Sequence, residues 1–329
     1  MIAVSLDAEG QIFPVAFSIV GGENLANWRW FLGLLKNVVG TRTLTIVSDR
    51  NPGLQTALEE LFGHCNVAYW LEHLKTNLKN NAGARICPHL RKAAECTTEQ
   101  ELAAVLQEMK EIFPKGFSYL DKIDKSKWTD LYFLGRRYGH YTSNISESLN
   151  AWINSERRMP VVKSMEWIRR KLMKWFYERK KKANAMKGLL VDSLEAIVAK
   201  IDDKARRLEV LASSDVIFEV LSTTTRIVKL EEQYCSCGQW KRSGIVCVHV
   251  LAVLLHQGFD FVNFCEPFFL TEKYCAIYER SLMPVPCREE WSIEDLEQPV
   301  LLGLQPPQGN KQSGRGRRQV NRRRRWSER

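Results

Sequence analysis

Apolar and polar positions alternate at the start of the chain. Ile2, Val4 and Leu6 keep a period of two, the cluster Asp7-Ala8-Glu9-Gly10 interrupts it, and Ile12, Val15, Phe17 and Ile19 resume an apolar run. Alternation broken by turn-forming residues predicts a β-hairpin over residues 1–20. The period then lengthens: Trp28, Phe31, Leu32 and Leu35 fall on one face of a helix over 24–37. Leu44 to Val47 reads as a short buried strand ending at Ser48-Asp49-Arg50, residues 53–62 as a helix, and Val67 to Trp70 as another short strand. The order strand, strand, helix, strand, helix, strand indicates a mixed α/β sheet.

From about 71 to 135 the pattern is helical. Leu102, Val105, Leu106 and Met109 keep helical spacing behind a cap region at Thr97-Thr98-Glu99-Gln100. Further helices are predicted over 144–155 and 160–182, with Pro160 suited to a first helical turn. The second of these sets Met165, Ile168, Leu172 and Trp175 against Arg169, Arg170, Lys171, Lys174 and Lys180 to Lys182. Such a basic face suits phosphates, and it also suits plain solvation. Strand character returns over 214–234 with Val216, Phe218 and Val220, then Arg226 to Leu230. From 305 onward Pro, Gly, Gln and Arg dominate, which predicts disorder.

The cysteines change the picture most. There are nine, an odd number. No segment approaches the roughly 20 consecutive apolar residues of a membrane span, and the start, with Asp7 and Glu9 and no basic flank, does not read as a signal peptide. The expectation is a soluble intracellular chain, in which clustered cysteines point to metal before disulfides. Cys235-Ser236-Cys237 is followed, after nine residues, by Cys247-Val248-His249. Three thiolates and an imidazole make a closed tetrahedral set, the way structural zinc is held. The strand before the ligands and the apolar helix after them (Val250, Leu251, Val253, Leu254) would fix their directions, with Gly238 and Gly244 allowing a tight backbone. His256, seven residues beyond His249, reads as an ordinary helix residue.

The C-x-C…C-x-H order resembles the SWIM zinc finger. Several other stretches resemble one family in sequence order: Asp7 to Phe17, Glu23-Asn24, Trp28-Arg29-Trp30-Phe31-Leu32, Ser48-Asp49-Arg50, Thr142-Ser143-Asn144-Ile145-Ser146-Glu147-Ser148-Leu149-Asn150, then, beyond the finger, Tyr278, Met283-Pro284-Val285-Pro286 and Trp291. Over residues 1 to about 291 the chain resembles the Mutator-like (MULE) transposases, the group that also includes transcription factors derived from them. The resemblance implies an RNase H-like mixed sheet with a helical insertion over about 74–140, and three acids that bind two Mg²⁺ ions for DNA strand cleavage and transfer. By motif position Asp49 is the second acid and Glu147 the third. The family's first acid lies on a strand upstream of the segment matched by residues 1–20. The resemblance therefore predicts that the first strand and first acid are missing here; Asp7 falls at the hairpin turn and takes no catalytic role. The family's Cys-x-x-His near residue 70 reads Trp70-Leu71-Glu72-His73, which leaves His73 without its usual partner.

Charge completes the reading. The chain carries +10, of which residues 309–329 hold nine Lys/Arg against Glu328, or +8, leaving +2 for residues 1–308. Gly314-Arg315-Gly316-Arg317-Arg318 resembles an AT-hook core, with Gly316 where proline is usual, and Arg322, Arg323, Arg324 and Arg325 read as a nuclear localisation signal or phosphate clamp. Trp326 is placed to stack on a base. The expected organisation is an RNase H-like transposase domain over 1–190, a linker and small ββα SWIM zinc finger over 191–295 with its core at 214–258, and a disordered basic tail over 296–329. The expected function is a nuclear, transposase-derived, zinc-binding and DNA-binding protein without complete catalysis. The alternatives are a fragment of an active transposase and a regulatory factor whose SWIM module binds proteins or a second copy. No membrane partner is expected.

Overall fold

The computed structural model describes residues 1–138, 152 and 159–286 of the 329. The chain divides into two compact units, Met1–Met283 and Pro284–Arg329, and every described helix and strand belongs to the first.

Strands β1 (Ile2–Leu6) and β2 (Ile12–Phe17) form the expected antiparallel hairpin. Its turn closes through Gly10 N–H donating to Asp7 O at 2.9 Å, with Gly10 at φ +73°, a conformation costly for any residue with a Cβ. The register shifts between Ala3 and Val4, opposite Pro14, where proline has no N–H to give to the ladder. Helix α1 (Leu25–Val39) is capped by Asn24, and α2 (Pro52–Phe62) by Asn51. Trp28, Phe31 and Leu32 of α1 bury against Leu54, Ala57, Leu58 and Phe62 of α2. β3 (Thr45–Ser48) and β4 (Asn66–Tyr69) pair in parallel, joined by α2.

The single mixed sheet expected from the strand order is instead two separate two-stranded sheets. A cleft of about 720 Å³ is lined both by Val4 to Leu6 and by Leu44, Thr45 and Val47, and the two strand pairs share no ladder. The class is mixed α/β with small sheets.

Helices α3 (Leu71–Ala82), α4 (Cys87–Glu95), α5 (Glu99–Ile112) and α6 (Pro114–Asp121) form a block around Leu74, Leu78, Ile86, Leu90, Met109 and Trp128. Thr98 caps α5 by accepting from Glu101 N–H, and Glu101 Oε2 accepts in return from Thr97 N–H at 3.1 Å. The helix predicted over 144–155 lies outside the described residues apart from Trp152. Helix α7 (Val161–Ala185) runs 25 residues, about 37 Å. Pro160 sits at its N-cap in an extended conformation, one step before the first turn.

The C-terminal part holds more structure than the sequence pattern announced. Helix α8 (Asp192–Arg206) precedes an antiparallel meander of β5 (Glu209–Ala212), β6 (Ile217–Leu221), β7 (Arg226–Lys229) and β8 (Tyr234–Cys235). A short helix α9 (Gln239–Ser243), helix α10 (Val248–Gln257) and helix α11 (Thr271–Tyr278) follow. The expected ββα finger therefore has four strands, with α8 packed against α10. Phe218, Val220, Val228, Trp240, Leu251, Leu254 and Tyr274 share its core. Among the described residues no helix is long and apolar enough to cross a membrane.

Candidate metal centre

Backbone geometry gathers the four sequence-predicted ligands. Cys235 ends β8, held by its pairing with Val228 and by Ser236, whose N–H donates to Ile227 O at 2.9 Å while its Oγ accepts from Ile227 N–H at 3.0 Å. The chain then reverses: Gly238, at φ +70° and ψ −13°, donates its N–H to Cys235 O at 2.8 Å and starts α9. Trp240 of α9 is fully buried beneath this turn, with Nε1 donating to Phe264 O at 2.9 Å. Gly244, also at φ +70°, ends α9. Cys247 is the N-cap of α10, and His249 lies in that helix's first turn.

The result is a compact cluster. One ligand atom from each of Cys235, Cys237, Cys247 and His249 lies within 4.8 Å of all the others. His249 turns Nδ1 toward the sulfurs, 3.9 Å from Cys235 Sγ and 3.9 Å from Cys247 Sγ. A tetrahedral zinc with bonds of about 2.3 Å to sulfur and 2.0–2.1 Å to nitrogen places sulfur about 3.8 Å from sulfur and about 3.6 Å from nitrogen. The two sulfur–nitrogen distances of 3.9 Å match that frame to about 0.3 Å, and the four ligand atoms together stay within 4.8 Å. Cys235 and Cys247 are buried, and Cys237 and His249 half-buried.

The electrostatics also ask for a cation. Hydrogen bonds from Cys235 and then Cys247 hold the Cys237 thiol far below the ordinary thiol range. The contact with Cys237 pushes Cys235 up to about 12, and the contacts with Cys235 and Cys237 push Cys247 up as well. Three thiolates this close repel one another, and a divalent ion at their centre removes the repulsion. Four protein ligands in two tight pairs leave no open position, so the cluster suggests structural zinc.

Contacts distant in sequence seat the centre, and no local pattern signals them. A Cβ at Gly238 would collide with the Thr97 side chain, between α4 and α5. Arg242 of α9 lies 3.9 Å from both Glu95 and Asp130. Gly238→Ala is expected to cost about 1–3 kcal/mol, because it adds left-handed strain to that collision. Urea unfolding and the rate of zinc loss to a chelator measure this; a variant as stable as the parent refutes the assigned constraint.

Among the described residues, Asp49 and His73 do not belong to this cluster. Asp49 follows β3, and its Oδ1 accepts from Asn51 N–H at 3.0 Å in the turn that opens α2. Glu147 and the arginines at 315, 317, 318 and 322–325 lie outside the described residues. His73 packs beside Trp70, with ring centroids 5.5 Å apart and the rings tilted by 49°. Asp7, read as a hairpin-turn residue, also proves to be a buried anchor: Oδ1 accepts from Glu9 and Gln11 N–H, and Oδ2 accepts from Tyr278 OH at 2.6 Å.

Residues 1–77 match the MULE transposase domain family, and residues 220–258 match the SWIM zinc finger family. A search of the curated proteins gave no match. The first match spans the hairpin, α1, β3, α2, β4 and the start of α3, and the second spans the cysteine–histidine cluster, so this chain joins a MULE transposase domain match to a SWIM zinc finger match.

Proposed function

We propose that the protein is a transposase-derived DNA-binding protein whose SWIM module is folded around one zinc ion, held by Cys235, Cys237, Cys247 and His249. The observation that carries this reading is the pairing, in one chain, of a MULE transposase domain with a closed Cys₃His cluster of zinc dimensions. When bound, zinc supplies a cross-link between β8, the turn before α9 and the N-terminus of α10. In this reading the hairpin and the β3–α2–β4 unit, which pair as two separate sheets, are the remnant of an RNase H-like domain. The nine Lys/Arg of residues 309–329 supply electrostatic attraction to phosphates and suit nuclear import.

In this reading the protein binds DNA and does not cut it. The transposase resemblance assigns Asp49 and Glu147 to Mg²⁺; Asp49 follows β3, and its Oδ1 also accepts from Asn51 N–H at the start of α2. The test uses the full chain with zinc. A duplex of about 30 base pairs should be retained in a mobility-shift assay, and affinity should fall by about a thousandfold between 50 and 200 mM salt if the tail makes six or more phosphate contacts. Supercoiled plasmid should stay intact with Mg²⁺. Absence of binding refutes the reading, and Mg²⁺-dependent nicking that Asp49→Ala abolishes replaces it with an active strand-cleaving enzyme.

A further inference from the structure

Helix α7 concentrates charge in a body that has little. Residues 161–185 contain nine Lys/Arg against two Glu, a net +7, while residues 1–308 together carry +2, so the rest of that span is −5. The charge is also ordered. Lys163, Trp167, Arg170, Lys174, Tyr177 and Lys181 recur at steps of four, three, four, three and four, which holds them within about 40° of one line along the helix. The line runs about 27 Å from Lys163 to Lys181. Lys163, Arg170, Lys174, Tyr177 and Lys181 are exposed and Trp167 half-exposed.

The opposite side of α7 is occupied. Ile168 and Ala183 are buried, and Arg179 donates to Ile12 O at 2.8 Å and to Tyr278 OH at 2.9 Å. The ridge is thus the side left to solvent. Its two acids offset only part of that charge, at Arg170 and Lys174. Glu166 is shared by two arginines, accepting from Arg169 at 2.7 and 2.8 Å and from Arg170 at 2.7 Å. Glu178 lies 3.8 Å from Lys174. The aromatic rings already sit against cations: Lys171 Nζ is 3.8 Å from the Trp167 ring centre, and Lys181 Nζ is 5.7 Å from that of Tyr177. Trp152 braces the row from behind, 5.4 Å from Trp167 and 4.6 Å from Trp175.

We propose that the Lys163–Lys181 ridge of α7 binds an unpaired DNA strand, its cations on successive phosphates and its aromatic rings beneath bases. The inference rests on the DNA-binding reading above and adds a second contact surface, separate from the basic tail. Charge complementarity selects a polyanion. The interleaved rings select a single strand, because a duplex keeps its base faces stacked and offers none to Trp167 or Tyr177.

The experiment is fluorescence anisotropy on the full-length, zinc-loaded chain with a labelled 20-mer single strand (about 20 nucleotides) and the corresponding duplex, across a salt series. Lys163→Gln/Lys174→Gln/Lys181→Gln should lower single-strand affinity at least tenfold and flatten the salt slope by about 2, at roughly 0.7 per phosphate contact. Tyr177→Ala, at an exposed position, should weaken single-strand binding about tenfold and leave duplex affinity unchanged. Arg322→Ala/Arg323→Ala/Arg324→Ala/Arg325→Ala should weaken both ligands. Circular dichroism melts that match the parent establish that each variant is folded. If the ridge variants leave single-strand affinity and slope unchanged while the tail variant loses binding, the ridge proposal falls and the DNA-binding reading stands. If Tyr177→Ala weakens both ligands equally, the single-strand assignment falls. If the parent binds neither ligand, both readings fall.

Discussion

Cys247→Ser is expected to remove zinc from the protein and unfold the core that surrounds it. Cys247 is fully buried, caps α10, and sits beside both other thiols and His249. A serine hydroxyl there suits the N-cap position but does not serve as a soft thiolate ligand. In small zinc modules metal binding contributes about 10–16 kcal/mol to folding, as much as the whole net stability of an ordinary domain. The purified parent should contain about one zinc per chain, and the variant close to none, by elemental analysis. Limited proteolysis should open the segment between α8 and α11 in the variant alone. His256→Ala, two turns of α10 beyond His249 and exposed, should keep its zinc. Full zinc content in Cys247→Ser would sink the ligand assignment.

Asp7→Ala should cost about 3–5 kcal/mol, the penalty for breaking a buried charge pair from one side. Asp7 is 2% exposed and its partners come from three places in the sequence. Tyr278 donates its hydroxyl to Oδ2, Arg179 lies 3.7 Å from the same oxygen, and the Glu9 and Gln11 amides donate to Oδ1. Burial, and then the bond to Asp7, pushes the Tyr278 phenol above its ordinary value, so it remains a donor at neutral pH. Removal of the carboxylate leaves Arg179 facing the phenol and the Ile12 carbonyl without its counter-charge. Urea unfolding measures the loss, and a cost under about 1 kcal/mol would show that the network is ornamental. The adjacent Glu9 gives the tie an acid-sensitive partner. Burial opposes ionisation there, but Lys182 and the Ser193 amide outweigh it and hold the carboxyl below 4.5. A lowered pKa stabilises the fold above the unfolded value and is lost as pH falls through the folded one. Glu9→Gln should therefore blunt the acid destabilisation that sets in below about pH 4.5.

What the sequence made legible was local. The hairpin, the cap at Thr98, the apolar stripes of α1 and α5, and the Cys-x-Cys and Cys-x-His pairs each lie within a few residues, where period and turn chemistry act directly. Pro160 shows the grain of that resolution: its fixed φ suits a helix start, and the structure uses it one position earlier than the pattern suggested. The unexpected features depend on distance. The Tyr278–Asp7 bond closes over 271 residues, and no window of sequence relates its ends. Helix α8 was passed over because Leu194, Val198 and Ala205 are separated by a charged surface, and they become a face only when α10 lies against them. Whether two strand pairs join into one sheet is likewise decided by what lies between them, and local alternation does not report it.

The core around the finger has a consequence for portability. The stretch that matches the SWIM family begins at residue 220, within β6, yet the apolar interior it encloses also draws on Val198 of α8, Phe218 of β6 and Tyr274 of α11. A segment excised at the family boundaries would retain every metal ligand and expose one wall of its own interior. The transplantable unit is the longer run from α8 through α11, and the finger in this protein is best regarded as a keystone, cut to fit one arch.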